Sequence, residues 1–126
     1  MANWTPEGLL GKLFRLLARY SPPDAQADAP VSWGDETVLN KRLRPYVKDM
    51  RIRREVVRFR SLSPNHWVDF MKTYFGPAIL AFQYSSPEAG EALESEMADL
   101  IREHNRAANG TVLSESEYLD VVATRR

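Results

Sequence analysis

Trp4, Trp33, Trp67, Tyr74 and Phe75 fall at the starts or ends of predicted helices, where side chains tend to line pockets. With the Glu7 carboxylate beside them, they form a candidate substrate pocket: apolar walls, a few polar handles, room for a small and partly apolar molecule. Taken singly, each aromatic also reads as ordinary core or boundary packing. The remaining chemistry-bearing residues are few. His66 sits in the first turn of an aromatic helix, and His104 extends an apolar helical stripe as a boundary residue. Two histidines without a His-x-x-x-His spacing are too few for a zinc site. Cysteine is absent, which excludes a thiol nucleophile, a disulfide framework and Cys-ligated metals. Gly8, Gly11, Gly34, Gly76, Gly90 and Gly110 never fall two apart. No Gly-x-Gly loop can therefore cradle a nucleotide or cofactor, and no Gly-x-Ser-x-Gly elbow is present. No metal site, no cofactor for this chain alone, and no assignable catalytic base are expected.

The elements that must position these residues follow from periodicity. Thr5-Pro6-Glu7 predicts a helix start, with Thr5 as N-cap and proline at the first helical position. Leu9, Leu13, Leu16, Leu17 and Tyr20 follow at helical spacing, with Leu10 and Phe14 widening the stripe. So wide an apolar surface is covered on more than one side. Residues 21–32 are rich in Pro, Ala and Asp and read as an extended, mobile connection. Trp33-Gly34-Asp35 opens a short helix that ends before Pro45. Residues 50–60 read as a strand whose alternation changes phase between Ile52 and Val57/Phe59. A bulge near Arg53–Glu55 would return both sets to one face. Ser63-Pro64 and Ser86-Pro87 cap further helices, Gly76-Pro77 starts a short one, and Asn109-Gly110 ends the last. Residues 117–124 form the second strand.

The expected fold is α+β: one helix-rich domain over 1–126, two antiparallel strands at about 50–60 and 117–124, and five to six helices. Two strands make a poor sheet alone, and the Leu119–Ala123 run is of the kind that lies between neighbours.

The chain has 126 residues with 17 basic and 17 acidic side chains, so it is not a generic polyanion binder. The cancellation hides a separation. Residues 41–60 carry nine bases against two acids, and residues 88–103 carry six acids against one base. The favoured reading is a solvated basic strand face lying near an acidic helix, within the molecule or across a dimer. Nucleic-acid binding by the strand ranks lowest, because exposed aromatics for base stacking are not interleaved with it. At 44% hydrophobic and 27% charged residues, the composition is globular. No apolar run spans a membrane and no secretory pattern precedes the first helix. A cytoplasmic protein is expected.

Five strings, in order and covering Ala2 to Arg126, carry a resemblance: Ala2-Asn3-Trp4-Thr5-Pro6-Glu7-Gly8, Trp33-Gly34-Asp35-Glu36, Val56-Val57-Arg58-Phe59-Arg60, Thr73-Tyr74-Phe75-Gly76-Pro77-Ala78-Ile79-Leu80-Ala81-Phe82, and Tyr118-Leu119-Asp120-Val121-Val122-Ala123-Thr124. The chain resembles the C-terminal, substrate-side half of bacterial class I S-adenosylmethionine-dependent methyltransferases. The resemblance implies a truncated domain in which residues 2–4 end the fifth strand, residues 50–60 are the sixth, and residues 118–124 are the seventh. The seventh would run antiparallel between the other two. The cofactor-binding half has no counterpart, so S-adenosylmethionine is implied only if a complementary half is supplied. By the same resemblance, Trp4 and Glu7 would lie beside the methyl-transfer site, and the helix from Trp67 through Tyr74 would cap the substrate. The chain is then not catalytic alone. The alternative is a non-catalytic binding or assembly module that uses an aromatic groove and pairs the exposed edge of the seventh strand with another copy. Either reading predicts a homo-oligomer or a complex with a complementary half, rather than a well-behaved monomer.

Overall fold

The computed structural model describes residues 1–26 and 30–126. Its elements run β1 (Ala2–Trp4), α1 (Leu9–Ala18), α2 (Glu36–Leu43), β2 (Val47–Ser61), α3 (Pro64–Tyr74), α4 (Gly76–Tyr84), α5 (Pro87–His104) and β3 (Val112–Arg125). The class is α+β, with five α-helices and one antiparallel sheet among the described residues. The sheet holds the two strands expected from periodicity and a third, the one the resemblance implies at residues 2–4. Residues Ala2–Trp4 pair with Tyr118–Asp120, a stretch too short for alternation to reveal. The strand order is β1-β3-β2 with β3 antiparallel to both neighbours. β3 therefore occupies the middle, and the outer edges belong to β1 and β2. Both sides of β3 are thus paired along its middle, by Ala2–Trp4 on one side and by β2 on the other.

The expected bulge at Arg53–Glu55 is absent. Pairing of β2 with β3 is regular from Asp49↔Thr124 to Ser61↔Val112, and the irregularity lies between Val47 and Asp49. The phase change has another cause. Val57 and Phe59 stand opposite Ser116 and Ser114 on one face, and Phe59 packs on the main core built by α1, α3, α4 and α5. Met50 and Ile52 stand on the other face, with Val121 opposite Ile52. There they join Leu119, Leu39 of α2 and Trp33 in a second, smaller core. Each end of the ribbon is thus buried on a different side, and the apolar residues switch face without any backbone defect.

Helix starts follow the sequence where a serine caps locally. Ser63 accepts from the His66 N–H and Ser86 from the Ala89 N–H, and Asp35 accepts from Val38 at the start of α2. Thr5 does not cap α1. Its N–H donates to Glu117 O at 3.0 Å and its hydroxyl also points to that carbonyl, so Thr5 prolongs β1. The helix begins only at Leu9, and one of its unpaired N–H groups, that of Leu10, donates to the buried Ser116 Oγ at 3.1 Å. A serine distant in sequence thus does part of the work of a local cap. The predicted connection at 21–32 contains short 3-10 turns at Pro23–Gln26 and Pro30–Gly34 rather than being extended throughout; residues 27–29 lie outside the described residues.

The expected charge complement is also arranged differently. The basic strand meets acids of β3 and α2: Arg54 bridges Glu117 at 2.9 Å and Glu36 at 3.3 Å, and Arg58 meets Glu115 at 3.2 Å. The acids of α5 pair instead with Lys12, Arg19 and Lys72. Among the described residues no helix is long and apolar enough to cross a membrane.

Candidate functional site

Trp4, at the end of β1, is placed opposite Tyr118 by the register of the sheet. The two rings meet edge to face, centroids 5.9 Å apart at 78°, and Phe59 closes the other flank at 6.2 Å. Beside them lies a cavity of about 300 Å³ lined by Ala2, Asn3, Trp4, Val57 and Tyr118. That is the lower end of small-molecule sites. The lining carries no carboxylate, imidazole or amine. It can hold an apolar group and orient it through the Tyr118 hydroxyl or an amide, but it holds no group suited to proton transfer at neutral pH. The side chain of Asn3 does not point into the cavity: Asn3 stands opposite Leu119 on the other face of the sheet, where its Nδ2 is buried without a hydrogen-bond partner among the described residues. Such a group is costly unless a ligand or water satisfies it.

The six predicted pocket residues are not brought together. Trp4 alone lines this cavity. Glu7 is exposed in the turn before α1. Trp33 packs on the smaller core, on the far face of the sheet, with the Arg42 guanidinium 4.7 Å above its ring. Trp67 is 2% exposed inside the main core. Phe75 packs edge to face on Phe14 at 5.5 Å. Tyr74, 72% exposed, stacks only on Phe70 at 5.0 Å. Sequence reasoning missed Val57 and Tyr118 as lining residues. Their local pattern is that of any strand, and only the pairing Trp4↔Tyr118 reveals them.

A second hollow of about 490 Å³ lies between α1 and α5. Its walls are ionic: Arg19 faces Glu96 at 3.6 Å and Lys12 faces Glu103 at 3.8 Å. Tyr20 donates to Glu96, and this hydrogen bond raises the phenol pKa above its usual value of 10.0. Lys12 Nζ stands 3.3 Å from His104 Nε2. Burial first, and the Lys12 ammonium second, push the His104 pKa below 6.5, against a smaller opposing effect of Glu103. His66 lies elsewhere, exposed at the rim of a third hollow near Leu62 and Asn109. No group of three or more His, Asp or Glu among the described residues is placed to hold a metal ion.

Gly11 and Gly34 are pressed against the carbonyls of Thr5 and Trp4, where a Cβ would clash. Gly110, with φ at 84°, stands in open space at the turn before β3.

No protein-family model matches the chain. It is similar to three mycobacterial proteins described only as uncharacterized, one from Mycobacterium bovis and two from Mycobacterium tuberculosis. Each is 39% identical over 108 residues. The match covers 81% of this chain and 39% of each relative, so the chain spans well under half the length of the curated relatives it matches.

Proposed function

We propose that the chain is the substrate-side half of a methyltransferase-like domain: it contributes a small apolar pocket and a helical cap, and is not catalytic by itself. The observation that carries this reading is the sheet. A strand late in the sequence lies antiparallel between two others, β1-β3-β2, the order that the resemblance implies. The greater length of the mycobacterial relatives supports it, since they have room for a second half. The Trp4–Tyr118–Val57 cavity would then take an apolar part of the substrate. No step of methyl transfer is assigned to these residues, because none of them holds the cofactor or moves a proton.

Titration calorimetry with S-adenosylmethionine tests the reading. The chain alone should give no binding heat, and its mixture with a complementary half should bind. Micromolar binding by the chain alone would remove the claim that it is the substrate side only.

A further inference from the structure

On the face of the sheet that α2 partly covers, the arginines of β2 meet acids until the strand nears its end. Arg54 has Glu117 and Glu36, and Arg58 stands opposite Glu115, which also takes Arg106 at 2.9 Å. Arg60 is the next arginine on that face. Its opposite residue is Leu113, and Glu115 is already shared by two guanidiniums. Arg60 makes no ion pair or hydrogen bond among the described residues. It borders the third hollow, about 390 Å³ in volume, whose lining holds a second base and no carboxylate. That base is His66, in the first turn of α3, whose ring likewise has no partner among the described residues. The opposite wall is the turn before β3. Asn105 ties this turn down, accepting from the Ala107 and Leu113 N–H groups and donating to the Thr111 carbonyl. Within the turn, Asn109 spends its Oδ1 on Thr111, so its amide N–H groups remain to donate. Asp69, further along α3, does not line the hollow.

We infer that this hollow binds the phosphate monoester of a small, partly apolar molecule. Donors reach it from three elements: the Arg60 fork from β2, the His66 imidazole from α3 and the Asn109 amide from the turn. An imidazole keeps an N–H to donate in either protonation state, and a guanidinium is always charged. A phosphate offers three acceptor oxygens to so spread a set of donors, one more than a carboxylate. The volume is that of a small-molecule site, so a bare inorganic ion would leave most of it unfilled. Leu62, 74% exposed, lines the hollow with Leu113 and Val112 and supplies the apolar wall that the rest of the ligand would cover. The hollow lies farther along the ladder than Tyr118, where Ser61 pairs with Val112. It is therefore a second site, separate from the Trp4–Tyr118 cavity and independent of the methyltransferase-like reading.

Phenyl phosphate, inorganic phosphate and benzoate are the probes, each titrated into the full chain and followed by NMR. Phenyl phosphate should bind saturably, in the millimolar range or tighter, and shift the His66 ring signals together with the amides of residues 109–113. Inorganic phosphate should bind more weakly for want of an apolar part, and benzoate for want of an oxygen. Arg60→Gln changes an exposed side chain and should weaken phenyl phosphate binding about tenfold or more while the chain stays folded. Arg51→Gln makes the same charge change near the other end of β2, outside the hollow, and should weaken it less than about twofold. Four results overturn the assignment: no saturable binding of phenyl phosphate, equal weakening by Arg51→Gln, binding of benzoate or inorganic phosphate as tight as that of phenyl phosphate, or shifts that spare His66 and residues 109–113.

Discussion

Gly34 lies against the carbonyl of Trp4 so closely that a Cβ built on it would stand 1.8 Å from that oxygen. The 3-10 turn Pro30–Gly34 is thereby pressed onto the outer side of β1, and Trp4 is fixed from behind as Tyr118 fixes it from the front. Gly34→Ala must push the turn off the strand. The expected cost is about 2–3 kcal/mol. Gly90→Ala is the contrast. Its Cβ would meet Phe82 at an ordinary 3.8 Å inside α5, and the expected result is a gain of about 0.5–1 kcal/mol. Urea unfolding of both variants measures the difference, and a harmless Gly34→Ala would refute the close approach.

Trp67 and Tyr74 share a helix and separate core from surface. Trp67→Ala empties a fully covered position in the main core and should cost about 3–5 kcal/mol. Tyr74→Ala, at a side chain 72% exposed, should stay within about 0.5 kcal/mol. Comparable losses in the two unfolding midpoints would contradict their placement.

His104 should make stability depend on pH. Its pKa in the folded chain lies below 6.5, so the unfolded chain binds the proton more readily. Stability is full above about 6.5, falls as pH is lowered through that value, and levels off below the depressed folded pKa. His104→Gln should flatten this segment of the stability profile. An unchanged slope would remove His104 as its source.

Arg54 bridges Glu36 of α2 and Glu117 of β3, but its side chain is 54% exposed. Arg54→Ala should therefore cost no more than about 1 kcal/mol, and the loss should shrink as salt is raised. A large, salt-independent loss would mean that Arg54 acts through packing instead.

The parts of the fold that were legible in the sequence are those whose signal is local. Ser63, Ser86 and Asp35 announce three helix starts because the capping oxygen and the N–H it accepts from lie three residues apart. Thr5 carries the same signature and means something else, since its backbone is already committed to Glu117 and Ser116 reaches α1 from over a hundred residues away. The phase change in residues 50–60 was visible, but its cause was not. Nothing in the strand tells whether the backbone bulges or α2 covers the opposite face. The site suffered in the same way. Aromatic type and helix-end position drew together Trp4, Trp33, Trp67 and Tyr74, which the sheet divides between two faces, a core and open solvent. Trp4 lines the cavity beside Tyr118, a neighbour set by strand pairing alone.

The middle strand is also the last to be made. β1 and β2 share no ladder of their own and meet only through β3, so during synthesis both must wait for residues 112–125. Throughout that wait the fifteen residues of β2 are an unpaired ribbon. Contacts so distant in sequence form slowly, and half-finished sheets are prone to adhere to one another. The acids of β3 that Arg54 and Arg58 pair with in the finished sheet arrive only with that strand, so until then the arginines of β2 stand as unmatched like charges. Like charges keep nascent ribbons apart until their own centre strand arrives.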